Sequence, residues 1–174
     1  MLNLLANQSF QPSVAAAQNA ESLAEEFDSY LHSFTPGHPE TTAYRPQRVV
    51  HVIGDKDSPF GFQIAMSMAK KSHLLIDLLE ITDNPADIAS VIPEVVTLQA
   101  AGIAFEHHAH LGTVPDWLPG HIIQYDDTAA VVVEKSTLHR SGTLRFEQVL
   151  LPALRAFGLP ALIVIEDEHL LLPR

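Results

Sequence analysis

The segment KSTLHRSGT (135–143) gathers Lys135, His139, Arg140, Ser141, Gly142 and Thr143 in an otherwise acidic chain. A helix is predicted to follow it, and the free N–H groups and dipole at a helix start favour an anion. Ser141 and Thr143 add hydroxyl donors, and a guanidinium such as that of Arg140 binds a phosphate through two parallel bonds. These residue types in this order suit a phosphate or another anion. The same residues also suit a solvated loop in which Ser141 or Thr143 only caps the helix.

Ten histidines is a high count for this length, and three of them fall in IAFEHHAHL (103–111). If that segment is a strand, the period of two puts His108 and His110 on one face and His107 on the other. Two imidazoles at i, i+2 can begin a transition-metal site, but such a site needs a third and a fourth ligand. No matching His or carboxylate pair is visible, so these are expected to be half-exposed residues near a sheet edge, with no metal. Asp77, inside the apolar run HLLIDLLEI, needs a partner or a raised pKa if it is buried. A place at a sheet end, or hydrogen-bonded to a loop, satisfies it. Trp117 is expected in the core rather than walling a cleft. No nucleophile elbow, zincin helix, Walker loop or GxGxxG occurs, and no local spacing marks a Ser–His–Asp triad. No catalytic residue is assigned.

The elements that must position these groups alternate from Arg48 onward. RVVHVIG (48–54), HLLIDLLEI (73–81), IAFEHHAHL (103–111), TAAVVVE (128–134) and PALIVIE (160–166) are strand-like. Between them lie helix-like segments. One runs from Pro59 to Ser72 with Ser58 as its cap, and one from Asn84-Pro85 to Gly102, kinked or split at Pro93. A short helix or irregular crossover covers 113–125, and a last helix covers 143–157, ending at Gly158. Such alternation predicts an α/β three-layer sandwich around a mostly parallel sheet. Its ligand rim is the carboxyl ends of the strands, Gly54–Ser58 and Glu134–Thr143. EDEHLLLPR at the tail can turn and add a short antiparallel sixth strand. Before all this, 20–34 places Leu23, Phe27, Tyr30, Leu31 and Phe34 at helical steps, and TPGHPETTAYRP reads as a linker. The chain therefore divides into an N-terminal extension, 1–45, and an α/β domain, 46–174. Too short to be stable alone, the extra helix is expected to dock across a dimer in preference to docking on its own subunit.

Composition narrows the function. With 174 residues, 47% hydrophobic and 18% charged, the chain can bury a sizeable core. Ten Lys and Arg against 21 Asp and Glu leave a net charge of −11, which repels nucleic acid and anionic membranes. The absence of cysteine removes disulfides, thiolate metal sites and Cys nucleophiles. No apolar run reaches the roughly 18 residues of a membrane span. The N-terminus lacks the pattern of a secretory signal, and a cytoplasmic location is expected.

Over 46–166 the order of elements resembles the universal stress protein family. RVVHVIGDKDS before a helix looks like that family's first strand, acidic loop and helix. AGIAFEHHAHLGTVPDWL looks like its third strand with flanks, TAAVVVEKS like its fourth strand, and LPALRAFGLPALIVIED like its last helix and strand. The resemblance implies five parallel strands in the order 3-2-1-4-5 and a homodimer. It also implies that Asp55 or Asp57 matches an acidic residue near the nucleoside. ATP-binding members carry G-x2-G-x9-G-[ST] after the fourth strand; an ungapped count from Pro160 puts Glu134, Thr137 and Glu147 at the glycines and Gln148 at the Ser/Thr. ATP is therefore not expected as a cofactor. The resulting expectation is a stress-response or regulatory protein acting through dimerisation and protein or small-ligand binding. The alternative is a nucleotide- or anion-binding protein using 135–143, with weak phosphohydrolase activity.

Overall fold

The computed structural model describes residues 2–4, 20–33, 47–54, 59–88, 92–139, 148, 150, 152–153 and 161–165. Six strands form one sheet: β1 (Leu2–Leu4), β2 (Arg48–Ile53), β3 (Leu75–Thr82), β4 (Phe105–Leu111), β5 (Thr128–Glu134) and β6 (Ala161–Ile165). Their order is β1-β6-β5-β2-β3-β4. β2 to β6 are parallel throughout, so, counted from β2, they run 3-2-1-4-5 as expected. A sixth, antiparallel strand is present, but it comes from the other end of the chain. β1 pairs with β6, Asn3 opposite Val164, whereas the tail 166–174 lies outside the described residues.

The path of the chain explains the layers. β2, β3 and β4 advance in one direction, so their connections lie on one face: α2 (Pro59–Ser72) and α3 (Pro93–Ala101). To reach β5 on the far side of β2 the chain must reverse, and α4 (Val114–Gln124) crosses the opposite face. Ile64, Ala65, Met68 and Leu98 pack with Val49, Ile76, Leu78 and Val132 on the first face. Val114, Leu118 and Ile122 pack with Val50, Val52, Leu79 and Val131 on the second. All seven residues of β5 are buried, as suits a strand covered on both faces. By contrast every residue of β4 is half-buried or exposed, as suits an edge strand.

Prolines split the segment after β3 rather than kinking it. A 3-10 turn covers Pro85–Asp87, with the Asn84 side chain accepting from the Ala86 amide at 3.1 Å. α3 starts afresh at Pro93, where a missing N–H costs nothing. It ends at Gly102 in the left-handed region, φ 66°. Of the helix expected over 143–157, only residues 148, 150, 152 and 153 are described. Among them Leu150 is buried in the α4-side core.

The N-terminal helix α1 (Ala20–Ser33) corrects the docking expected for it. It lies against α2 of its own chain, with Leu23, Ala24 and Phe27 buried in the same core as Ile64 and Met68. Burial of side chains as large as Leu23 and Phe27 contributes about 1.5–3 kcal/mol each. The reason lies in α2, which buries Phe62, Ile64, Ala65, Met68 and Ala69, a wider arc than one sheet contact needs. Among the described residues no helix is long and apolar enough to cross a membrane.

Candidate functional site

Charged side chains converge at the amino ends of the strands, on the α4 face. Arg48 is the first residue of β2, Asp77 the third of β3 and Glu106 the second of β4. Parallel pairing sets Asp77 beside Glu106 and Leu79 beside His108. The two-residue period then puts Asp77, Glu106 and His108 on one face. His121 and Tyr125 come from the end of α4, and Asp127 from the turn leading into β5.

Arg48 joins the carboxylates. Its Nε donates to Asp127 Oδ1 at 2.6 Å, and its Nη1 donates to Asp77 Oδ2 at 3.1 Å and to Glu106 Oε2 at 3.0 Å. The guanidinium also stacks 4.2 Å from the centre of the Tyr125 ring. Burial works against its charge, but the bonds from Asp127, Glu106 and Asp77 outweigh burial and raise its pKa further. Asp77 is fully buried, 0% exposed. His121 Nε2 donates to its Oδ2 at 2.7 Å. Burial alone would raise the Asp77 pKa; the His121 hydrogen bond, the charges of His121 and His108, and the Arg48 bond together hold it below its usual value. Three carboxylates against one guanidinium leave this cluster at −2 before His108 or His121 takes a proton.

Further along the same face, His110 stacks on Trp117 at 4.1 Å and 16°. Burial, and then the charges of His121 and His108, lower the His110 pKa. Trp117 is not the core residue expected of it: it is 40% exposed and donates from Nε1 to the Leu111 carbonyl at 2.7 Å. Gly112 makes that stack possible. Its φ is 138°, and a Cβ there would sit 2.8 Å from Trp117 Nε1.

The opposite face carries a different set. His107 bonds Glu80 at 3.0 Å, as its place one residue from His108 dictates. His51 is buried beside Phe62; burial pushes it down to about 4 against a backbone hydrogen bond to Val132. At the carboxyl end of β5, Glu134 is 1% exposed. A Cβ on Gly61 of α2 would lie 3.2 Å from His51 Cε1 and 3.5 Å from Glu134 Oε1, so helix and strand are in close contact there.

Of the residues the sequence singles out for ligand binding, Asp55, Asp57, Arg140, Ser141, Gly142 and Thr143 lie outside the described residues. Lys135 is half-buried and opens a short helix, α5 (Lys135–His139), directly after β5. Thr137 and Leu138, one turn on, are buried. Asp77 finds its partners in Arg48 and His121 rather than in a loop. Sequence reasoning missed Arg48, Glu106, His121 and Asp127. One signal was present: Glu106 lies two residues before His108, on the same face of the same strand.

No protein-family profile matches the chain, and no curated protein matches it. Solved structures similar to the chain include two universal stress proteins. The universal stress protein from Archaeoglobus fulgidus is 16% identical, covers 69% of this chain and 97% of that chain, and gives a TM-score of 0.48. Universal stress protein UspA from Lactobacillus plantarum is 12% identical, covers 71% and 99%, and gives 0.45. The strand order fixed by this chain's own pairings is the one that the sequence resemblance implies, and the fold is universal-stress-protein-like.

Proposed function

We propose that this chain is a universal-stress-protein-like regulatory protein of the cytoplasm. It acts by self-association and by binding proteins or small ligands, without ATP. The observation that carries this reading is Glu134, buried at the end of β5 where ATP-binding members of that family begin a glycine loop. A carboxylate there repels a polyphosphate. The chain then continues directly into α5, with Thr137 turned inward.

Self-association draws support from the sheet edges. The outer edge of β6 is occupied by β1 along Ile163–Ile165. β4, at the other end, has no second partner strand among the described residues, and its last residue, Leu111, is 48% exposed. Titration calorimetry and thermal shift with ATP, ADP and AMP, together with light scattering, test both parts. A nucleotide at 100 times its dissociation constant stabilises by about 2.7 kcal/mol. The expected result is no such shift and a concentration-dependent dimer. ATP that stabilises the protein or co-purifies with it overturns nucleotide independence, and a monomer at all concentrations overturns self-association.

A further inference from the structure

We infer that Asp77, Glu106 and His108 form a binding site for one divalent first-row transition-metal ion. The inference stands on the amino-end cluster and is independent of the function proposed above.

One ligand atom from each of the three residues lies within 4.8 Å of the others. His108 Nε2 is 3.7 Å from Asp77 Oδ1 and 3.5 Å from Glu106 Oε2. Charge-assisted N–H···O bonds are shorter, about 2.7–2.9 Å. Ligands held about 2.1 Å from a tetrahedral ion lie about 3.4 Å apart, so the two separations suit a shared ion better than a direct bond.

The state of Asp77 is the second observation. Its Oδ2 is held by both Arg48 and His121, while its Oδ1 is buried and has no hydrogen-bond partner. A carboxylate with one oxygen fixed by its neighbours and the other left for a ligand is the usual arrangement behind a metal. His121 and Arg48 are then positioning residues. Glu106 Oε2 also accepts from Arg48 Nη1 at 3.0 Å, and a carboxylate oxygen has two lone pairs, so it can serve the guanidinium and an ion together.

Charge and access agree. The three carboxylates and Arg48 leave −2, which one divalent ion neutralises while His108 stays neutral. Asp77 closes the inner side, whereas the Glu106 and His108 side chains are 44% and 29% exposed on the edge strand, so an ion can enter and keep water. One imidazole with two carboxylates suits Zn²⁺, Mn²⁺ or Fe²⁺, and with no cysteine in the chain a thiolate-preferring ion has no ligand.

The test is calorimetry of the full-length, metal-free protein with Zn²⁺. Three variants accompany it: His108→Ala, Glu106→Gln and, as a control at an exposed histidine outside the cluster, His73→Asn. Thermal unfolding without metal confirms that each variant is folded. Addition of Co²⁺ to each protein gives a visible absorption band if nitrogen and oxygen ligands surround the ion. The expected result is one Zn²⁺ per chain, bound at least about tenfold more weakly in both His108→Ala and Glu106→Gln and unchanged in His73→Asn. No binding to the parent protein, or parent-like affinity in either of the first two variants, overturns the site.

Discussion

His51→Gln tests how the face under α2 is held together. His51 lies buried on β2, and burial lowers its pKa from 6.5 to about 4. In the unfolded chain the imidazole takes up a proton as pH falls through 6.5; in the folded chain it stays neutral until about 4. The unfolded state therefore binds more protons across that window, and stability falls as pH drops through it. Above the unfolded value the contribution is complete, and below about 4 no more is lost. At 1.36 kcal/mol per unit the loss is roughly 3 kcal/mol, which for a chain of this length moves the melting temperature by about 6–12 °C. Gln does not titrate. The measurement is urea unfolding of both proteins from neutral pH down to about pH 4, taken as a difference so that the other histidines cancel. Gln should cost some stability at neutral pH, where it loses the packing against Phe62, and the gap should narrow as pH falls. A gap that stays constant across the window would refute the reasoning, because His51 would then have the same pKa folded and unfolded.

Three further substitutions probe other parts of the molecule. Arg48→Met strands Asp77 as a buried carboxylate without its cation and should cost about 3–5 kcal/mol in chemical denaturation; adding Asp77→Leu to it should recover much of that, and no recovery would mean that Arg48 acts through packing alone. Gly112→Ala places a Cβ against the Trp117 indole at a φ of 138°. It should cost more than about 1 kcal/mol and change the emission of the single tryptophan, whereas unaltered fluorescence would contradict the contact. Phe27→Ala should cost about 3–5 kcal/mol, equally at low and high protein concentration, because α1 docks on its own chain. A cost that grows on dilution would restore docking across a dimer.

The strands were legible because burial on both faces demands continuous β-branched and apolar runs, as in RVVHVI and TAAVVVE. Their order could not come from those runs and rested on the resemblance, which the observed pairing matches. The source of the antiparallel strand is not legible in the sequence: LNL at residues 2–4 is too short to announce itself. Asp77 was recognised as needing a partner, but its partners lie 29 and 44 residues away in sequence. Contacts of that separation follow from register and crossover, which no local pattern encodes. Trp117 lies outside the core for a related reason. A large aromatic ring is a core residue by default; the positive-φ backbone at Gly112, the imidazole of His110 and the Leu111 carbonyl give it a seat at the surface.

The placement of α1 shows what a helical pattern leaves out. Leu23 and Phe27 had to find apolar surface, and a parallel sheet with both faces covered leaves none free. The sheet is indeed covered, but the covering helix has apolar surface of its own. Viewed as one stripe, α2 offers a single apolar face; its buried residues at 62, 64, 65, 68 and 69 describe an arc that the sheet cannot fill alone. Two small alanines, Ala65 and Ala69, lie in that arc, and small residues let helix backbones approach closely. The Lys71–Glu25 pair, 3.6 Å across the two helices, is half-exposed or more on both sides and contributes little. Apolar fit, not charge, thus holds α1 to its own chain.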